Sequence, residues 1–288
     1  MEKGKELVDS HMFEFCSYLK EDEKGRTTIE KYERDVRKFL TFVEKSQHSV
    51  NEVTKDIVLE YKERLLEEYE VSSVNSMLAA TNKYLRFVGK GECNVRQVKV
   101  QRRVFLEEEK CMSVEEVKRL LLIAEKNGKI RTKMMIETIC STGIRVSELA
   151  FFTVKKIRKG VIQIHNKGKV RVIMLTKELR NKLLGYARMR NIEQGAIFIT
   201  RTGQNVDRSN FWREIRGICK AAKVKLAKGF PHNFRHLFAR CFYEMDKDIV
   251  NLAAVLGHSN IETTRIYTMV SYANIGRQLD RLRSVFKE

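Results

Sequence analysis

Five short stretches in the second half of the chain carry guanidinium, amine, imidazole or phenol side chains that core packing does not require. They contribute Arg145 in STGIRVSEL, Lys167 and Lys169 in NKGK, His232, Arg235 and His236 in PHNFRH, His258 in LGHSN, and Tyr267 in TTRIYT. Taken singly, each has an ordinary explanation as a solvated, salt-bridging or packing side chain. Their joint occurrence favours one shared site.

Together these side-chain types are sufficient for phosphoryl transfer on DNA. Two guanidiniums can hold both non-bridging oxygens of a phosphodiester, with a bidentate geometry that lysine cannot match. They also neutralise the charge that builds on those oxygens in the transition state. A tyrosine hydroxyl can attack phosphorus, a lysine can protonate the departing oxygen, and a histidine can assist removal of the nucleophile's proton. Because this chemistry needs no metal-binding carboxylate cluster, we expect neither a metal nor an organic cofactor.

The single proline of the chain, Pro231, directly precedes the cluster of histidine and arginine. Proline is well tolerated in the first turn of a helix, where its missing N–H is not needed, so Pro231 predicts a helix start. On that helix His232 and Arg235 share a face, and His236 points nearby. The first turn offers unpaired N–H groups and a positive dipole end, which attract phosphates.

Basic residues are concentrated in the second part of the chain, whose 288 residues carry a net charge of +19. Residues 1–92 have 16 Lys and Arg against 19 Asp and Glu, whereas residues 93–288 have 40 against 18. The basic part is therefore where a polyanion would be held, and nucleic acid is favoured over an acidic protein or a membrane surface. A solvated basic surface without such a partner is the alternative interpretation.

Hydrophobic periodicity predicts an all-helical N-terminal domain, 1–92. Its predicted helices cover residues 8–19, 27–45, 54–68 and 72–87, which is enough for a compact four-helix bundle. Residues 93–110 lose the helical period and carry several arginines and lysines, so they are predicted to be a basic interdomain linker.

The remaining residues, 111–288, are predicted to form a second domain with a β-hairpin. Helices are expected from Ser113 and through 134–140, and again from Leu179 onwards. Between them, two strands at 160–166 and 170–176 are separated by a short lysine-bearing turn. A Ser or Thr three residues before Glu predicts capped helix starts at Thr27, Ser113 and Ser259.

Neither a membrane span nor secretion is predicted. No stretch approaches eighteen uncharged apolar residues, and the N-terminus has no apolar signal-peptide run, so we expect a cytoplasmic location. The six cysteines are scattered without a C-x-x-C pair, which argues against a zinc knuckle and a disulfide framework and favours reduced thiols.

In order and spacing, these segments resemble the tyrosine recombinase (phage integrase) family, and at this length its two-domain Xer type. The resemblance covers residues 106–286 and is carried by TGIRVSEL, PHNFRH and LGHSNIETTRIYT. It implies a mainly α fold with a small β-hairpin in the catalytic domain. That fold comprises an N-terminal four-helix, SAM-like bundle that clamps DNA and an α+β tyrosine-recombinase catalytic domain.

The resemblance implies a catalytic role for each of six residues. Arg145 and Arg235 would hold the scissile phosphate, and His258 would hydrogen-bond it. Lys167 would be the general acid toward the 5′-oxygen, and His232 would act as acid/base partner. Tyr267 would form a 3′-phosphotyrosine. Glu148 matches a position of structural support, and His236 matches a buried orienting residue. Because the hairpin turn is short, Lys169 is the alternative to Lys167.

The resemblance further implies a tetramer on two double-stranded DNA sites, with a Holliday-junction intermediate and a location on the nucleoid. The tetramer is expected to be homomeric, or heteromeric with a paralogue. An apolar stripe at Ile275, Leu279, Leu282 and Phe286 resembles a C-terminal helix donated to a neighbouring subunit, unless it packs on its own domain. The expected role is chromosome-dimer resolution or mobile-element integration and excision. Type IB topoisomerase activity and a non-catalytic DNA-binding regulator are the alternatives.

Overall fold

The computed structural model describes residues 2–46, 48–99, 111–166, 169–258 and 260–267. By its backbone contacts the chain divides into two compact units, residues 1–102 and 103–288. Each unit has a hydrophobic core of its own. In the described part of the chain, no helix is both long and apolar enough to cross a membrane.

The N-terminal unit is built from the four predicted helices. They are α1 (Glu2–Glu21), α2 (Arg26–Lys45), α3 (Lys55–Glu68) and α4 (Val71–Phe87). Helix α2 shows why the bundle forms, because Val36, Phe39, Leu40 and Val43 recur at helical spacing and are all buried. The predicted cap at Thr27 is wrong, since α2 begins at Arg26, with Gly25 in the capping position, two residues before Thr27, and no side-chain cap.

Residues that follow α4 are attached to the same unit by paired amide contacts. The Asn82 side chain donates to the Val95 carbonyl at 2.8 Å and accepts from the Val95 N–H at 3.1 Å. Asn75 makes the same two bonds to Val98, at 2.9 and 2.8 Å. Cys93 and Val95 are buried in the N-terminal core. The start of the predicted linker therefore runs in a fixed register along α4, and residues 100–110 lie outside the described part.

The C-terminal unit contains seven further described helices and one hairpin. The helices are α5 (Val114–Lys126), α6 (Ile130–Thr142), α7 (Val154–Lys159), α8 (Lys177–Met189), α9 (Arg208–Cys219), α10 (Pro231–Asp246) and α11 (Ile249–Leu256). Strands β1 (Val161–Asn166) and β2 (Lys169–Met174) pair antiparallel, with Val161 opposite Met174. The predicted mainly α fold with one small hairpin is thus confirmed.

The predicted starts of two C-terminal helices are confirmed, and a third lies outside the described residues. Ser113 and Glu116 form a reciprocal capping box at α5, with distances of 3.1 and 2.9 Å. Pro231 occupies the first turn of α10. The third predicted cap, Ser259, falls outside the described part of the chain.

Helix α6 ends at Thr142, and the capping residue Gly143 sets the direction of the chain that follows. Gly143 has a left-handed φ of +62°, and a Cβ built there would be 2.3 Å from Cδ1 of Phe238 on α10. Glycine is therefore required on both conformational and steric grounds. The tight turn directs the following residues, including Arg145, toward the first turns of α10.

Candidate active site

Arg145 opens a short 3₁₀ helix and is oriented by a buried carboxylate. The Glu148 side chain, only 3% exposed, accepts from the Arg145 backbone N–H at 2.7 Å and from its Nη1 at 3.2 Å. A carboxylate at this position both caps the short helix and fixes the direction of the guanidinium. Arg145 itself remains partly exposed, with other N–H donors available to a ligand.

Arg171, which the sequence analysis missed, links the hairpin to this carboxylate. From β2 its Nη2 donates to Glu148 Oε2 at 2.5 Å, and its Nη1 donates to the carbonyls of Val255 at 3.1 Å and Leu256 at 2.5 Å. Burial lowers the pKa of Arg171. Strand alternation was the signal available in the sequence, because Arg171 shares the face of the buried Ile173.

Arg235 is almost completely buried, at 2% exposure, and binds backbone on two sides. Its Nη1 donates to the carbonyl of Gly143 at 2.5 Å, and its Nη2 donates to the carbonyl of Leu256 at 2.8 Å. Leu256 therefore accepts from both Arg171 and Arg235, which joins β2, α10 and the end of α11. Burial, with the charge of Arg145, lowers the pKa of Arg235 to about 10, so the guanidinium stays charged at neutral pH.

His258 lies directly against Arg235, and its tautomer follows from its partners. Nε2 is 3.0 Å from Arg235 Nη2, and Nδ1 is 3.0 Å from Oγ1 of the buried Thr264. Because a guanidinium only donates, Nε2 must accept and Nδ1 must carry the proton that is donated to Thr264. Burial, followed by the charges of Arg235, Arg145 and Arg171, lowers the pKa of His258 to about 4. The imidazole is therefore neutral at pH 7.

Tyr267 packs between two histidines. Its ring centroid lies 5.0 Å from that of His236 and 6.1 Å from that of His258, nearly parallel to the latter at 16°. The side chain is 6% exposed and contacts a small apolar cluster with Leu252 and Leu256. Burial lowers the pKa of His236 to about 4, so the ring beside Tyr267 is also neutral.

A cavity of about 370 Å³ lies beside these groups and has a basic wall. Arg145, His232 and Arg235 line it, together with Arg208 at the start of α9. Burial in this wall and the charges of the three arginines lower the pKa of His232. Arg208 is a second residue that the sequence analysis missed. Its only sequence signal is its position directly after Asp207, which caps α9.

The structure thus brings together five of the six predicted catalytic residues: Arg145, His232, Arg235, His258 and Tyr267. Lys167 lies outside the described residues. Lys169 begins β2 opposite Asn166, with no described side chain. Glu148 accepts from the Arg145 backbone N–H, and the His236 ring lies beside that of Tyr267, while the supporting roles of both residues stay predictions.

Two family models match the chain. Residues 110–274 match the phage integrase family, and residues 13–90 match the phage integrase N-terminal SAM-like domain. The chain is 27% identical over 288 residues to tyrosine recombinase XerA of Pyrococcus furiosus, covering 97% of this chain and 96% of that protein. It is 30% identical over 287 residues to tyrosine recombinase XerC of Herpetosiphon aurantiacus, covering 92% of each.

The fold is also similar to a solved structure of the XerH site-specific recombinase bound to difH substrate in a pre-cleavage complex. The TM-score is 0.70 at 19% identity, and 96% of this chain and 84% of that chain are covered. By fold, site and family models, the chain belongs to the phage integrase family. Within that family it is a tyrosine recombinase, an enzyme of site-specific DNA recombination.

Proposed function

We propose that the chain cuts and rejoins double-stranded DNA at specific sites through a covalent bond between Tyr267 and a 3′-phosphate. The observation that carries the proposal is the chain of contacts from the basic cavity to the tyrosine. Arg235 lines the cavity and contacts His258, and His258 stacks against Tyr267. A phosphate in this cavity would lie among positive donors and close to a phenol.

Arg145 and Arg235 are the proposed phosphate ligands. Arg235 donates to two carbonyls and to His258, which leaves two of its five N–H groups for a phosphate. Arg145 is held by Glu148 through one nitrogen and is exposed toward the cavity. Because both orientations are fixed before substrate binds, little reorganisation is needed as charge develops on the phosphate oxygens.

In the proposed reaction, cleavage and rejoining each form one phosphoester bond for every one that is broken. The Tyr267 oxygen attacks phosphorus, the bond to the 5′-oxygen breaks, and the tyrosyl proton passes to a base, for which the neutral His232 is the candidate. Lys167 is the proposed donor of a proton to the departing 5′-oxygen, with Lys169 as the alternative. Reversal with a different 5′-hydroxyl rejoins the strand, so no external energy source is required.

His258 needs a change of protonation before it can donate to the phosphate. In the free protein its Nε2 accepts from Arg235, and its proton is on Nδ1 facing Thr264. A bound phosphate would favour either the other tautomer or the doubly protonated ring, because both place a donor at Nε2. We infer that substrate binding is coupled to proton movement at His258.

Complete exchange requires more than one copy of the chain. Two duplexes have four strands, and each copy offers one Tyr267 for cleavage, so four copies are proposed on two sites with a Holliday junction between the two rounds. A homotetramer is the simplest arrangement, and a paralogue can supply half of the subunits. The predicted C-terminal helix, 274–288, lies outside the described residues, and its donation to a neighbour stays a prediction. Through DNA binding, the protein would be associated with the nucleoid.

A nicked suicide substrate tests the proposal, because loss of a short fragment after cleavage traps the covalent intermediate. Candidate sites can be taken from the genomic neighbourhood of the gene. Wild-type protein should give a covalent protein–DNA band, and Tyr267→Phe should bind the same DNA without forming that band. Lys167→Ala and Lys169→Ala, tested in parallel, identify the general acid, since only one of the two should lose cleavage.

The same assay addresses the biological alternatives. The relatives favour recombination over topoisomerase-like relaxation and over a non-catalytic regulator. Relaxation of supercoiled plasmid without any target sequence would support the topoisomerase alternative, and binding without covalent attachment would support the regulator. Chromosome-dimer resolution and mobile-element integration are both compatible with the proposed chemistry.

A further inference from the structure

A second basic cavity lies at the start of α6, at the opposite end of that helix from Gly143. It encloses about 560 Å³. Because α6 has 13 residues, the two ends of the helix are about 20 Å apart. Four cationic side chains line this second cavity: Lys129, Arg131, Arg190 and Arg201. We call it the α6 N-terminal pocket.

Among the described residues that line the α6 N-terminal pocket, Glu214 is the single carboxylate, and both of its oxygens already accept a hydrogen bond. Glu214 accepts from Arg131 Nη2 through Oε1 and from Thr132 Oγ1 through Oε2, the latter at 2.6 Å. The other terminal nitrogen of Arg131 donates to the carbonyl of Ile199 at 2.6 Å. Of the cations that line the pocket, the other three (Lys129, Arg190 and Arg201) make no ion pair with any residue in the described ranges.

Two buried donors of the α6 N-terminal pocket also lack an acceptor. Among the residues that the structure describes, the hydroxyl of Tyr186, a residue only 3% exposed, has no hydrogen-bond partner, and neither has Nε of Arg131. Burial raises the pKa of Tyr186, while Arg190 and Arg131 act to lower it, so the hydroxyl lies within the field of the pocket's cations. Buried polar groups are normally satisfied, and leaving one without a partner is costly. Acceptor atoms of a ligand in the pocket, which both residues line, would be available to such groups.

The backbone adds further donors at the same place. Helix α6 has no side-chain cap at its N-terminus, so its first N–H groups and its positive dipole end face the pocket residues 128–132. The Lys129 amine lies over α9, where a Cβ built on Gly217 would be 2.7 Å from Nζ. The absence of a side chain at Gly217 is thus what allows the amine to occupy this position.

We propose that the α6 N-terminal pocket binds a small phosphate-bearing anion, of the size of a diphosphate or larger. Arg190, Arg201 and Lys129 supply charge, and the first turn of α6 and the Tyr186 hydroxyl supply directed donors. Phosphate fits better than a carboxylate because several oxygens can engage all of these donors at once. This inference does not depend on the proposed recombination chemistry, since none of these residues lines the catalytic cavity.

Calorimetric titration of the full chain with inorganic pyrophosphate, at constant ionic strength and without divalent metal, tests the inference. Wild-type protein should bind pyrophosphate at a site that Arg145→Ala leaves intact, because that change affects only the catalytic cavity. Arg190→Gln combined with Arg201→Gln should weaken binding at least tenfold, because losing even one of the two charge-assisted hydrogen bonds corresponds to about a factor of ten. The charge-matched control is Lys118→Gln combined with Lys155→Gln, two exposed lysines outside this pocket, and it should bind like wild type.

Tyr186→Phe separates ligand binding from a structural role of the hydroxyl. It should weaken pyrophosphate binding about three- to tenfold. The melting temperature without ligand should not fall, since the hydroxyl has no hydrogen-bond partner among the described residues to lose. A fall in melting temperature with unchanged affinity would contradict the inference.

Three other outcomes would overturn it. The first is that wild-type protein does not bind pyrophosphate at millimolar concentration. The second is that the pocket and control variants weaken pyrophosphate binding equally. The third is that the pocket variant loses more affinity for duplex DNA than the control variant does. The last would identify the DNA backbone as the source of the phosphate. Covalent cleavage by Tyr267 is scored separately, so failure here leaves the recombinase proposal intact.

Discussion

Replacing Arg171 with methionine should destabilise the C-terminal unit more than the same replacement of an exposed arginine does. The Arg171 side chain is 10% exposed and Glu148 is 3% exposed, so the change leaves a buried carboxylate with Arg145 Nη1, at 3.2 Å, as its remaining charged partner. Removing one member of a buried ion pair costs about 3–5 kcal/mol, because the other charge stays desolvated. Arg158→Met, at an exposed position on α7, should change stability by less than about 0.5 kcal/mol.

Urea unfolding of the single and double variants tests this reasoning. Adding Glu148→Gln to Arg171→Met removes the buried charge that has lost its Arg171 partner. The second change should therefore cost less than Glu148→Gln does alone, with a coupling of about 1–3 kcal/mol. Cleavage should not recover in the double variant, because Arg145 has lost its orienting carboxylate. Purely additive free energies, or a cost of Arg171→Met below about 1 kcal/mol, would refute the assigned role of Arg171.

Two further predictions concern the backbone turn and the neutral histidines. Gly143→Ala should cost about 2–4 kcal/mol in urea unfolding, because it adds a Cβ at φ +62° and 2.3 Å from Phe238. Gly25→Ala, at φ −63° with open space around it, should stay within about 1 kcal/mol, and equal costs would contradict the account. In the folded protein, the pKa values of His236 and His258 are about 4, whereas an unfolded histidine has a pKa near 6.5. The contribution of the two neutral rings to stability is therefore complete above pH 6.5 and is lost as the pH falls toward 4. His236→Gln should flatten the fall in urea midpoint between pH 7 and pH 5, and an unchanged slope would argue against the neutral ring.

Local sequence patterns predict the helices, and they predict the site residues whose side-chain types occur at a recognisable spacing. Val36, Phe39 and Val43 repeat at helical spacing, and Pro231 marks a helix start, so the sequence alone predicts α2 and the start of α10. Arg145, Arg235 and Tyr267 stood out because guanidiniums and a phenol occur in recognisable segments.

The missed contacts depend on distances that no local pattern encodes. Arg171 meets Glu148 and Leu256 only after the hairpin has packed against the end of α11, which is 85 residues away from Arg171 along the chain. Thr264 orients His258 through a tertiary contact, and Arg208 reaches the cavity from α9. At Thr27, the local signature was present but Gly25 caps the helix instead.

The most direct test of the central claim replaces the scissile phosphate of the target site by a neutral methylphosphonate. If Arg145 acts by neutralising charge on that phosphate, Arg145→Ala should lose about a hundredfold or more in cleavage of ordinary DNA. On the methylphosphonate it should remain within about tenfold of the wild type on the same substrate, because the charge that needs the guanidinium is gone. An equal loss on both substrates would contradict the claim that Arg145 acts by neutralising charge on the phosphate that Tyr267 attacks.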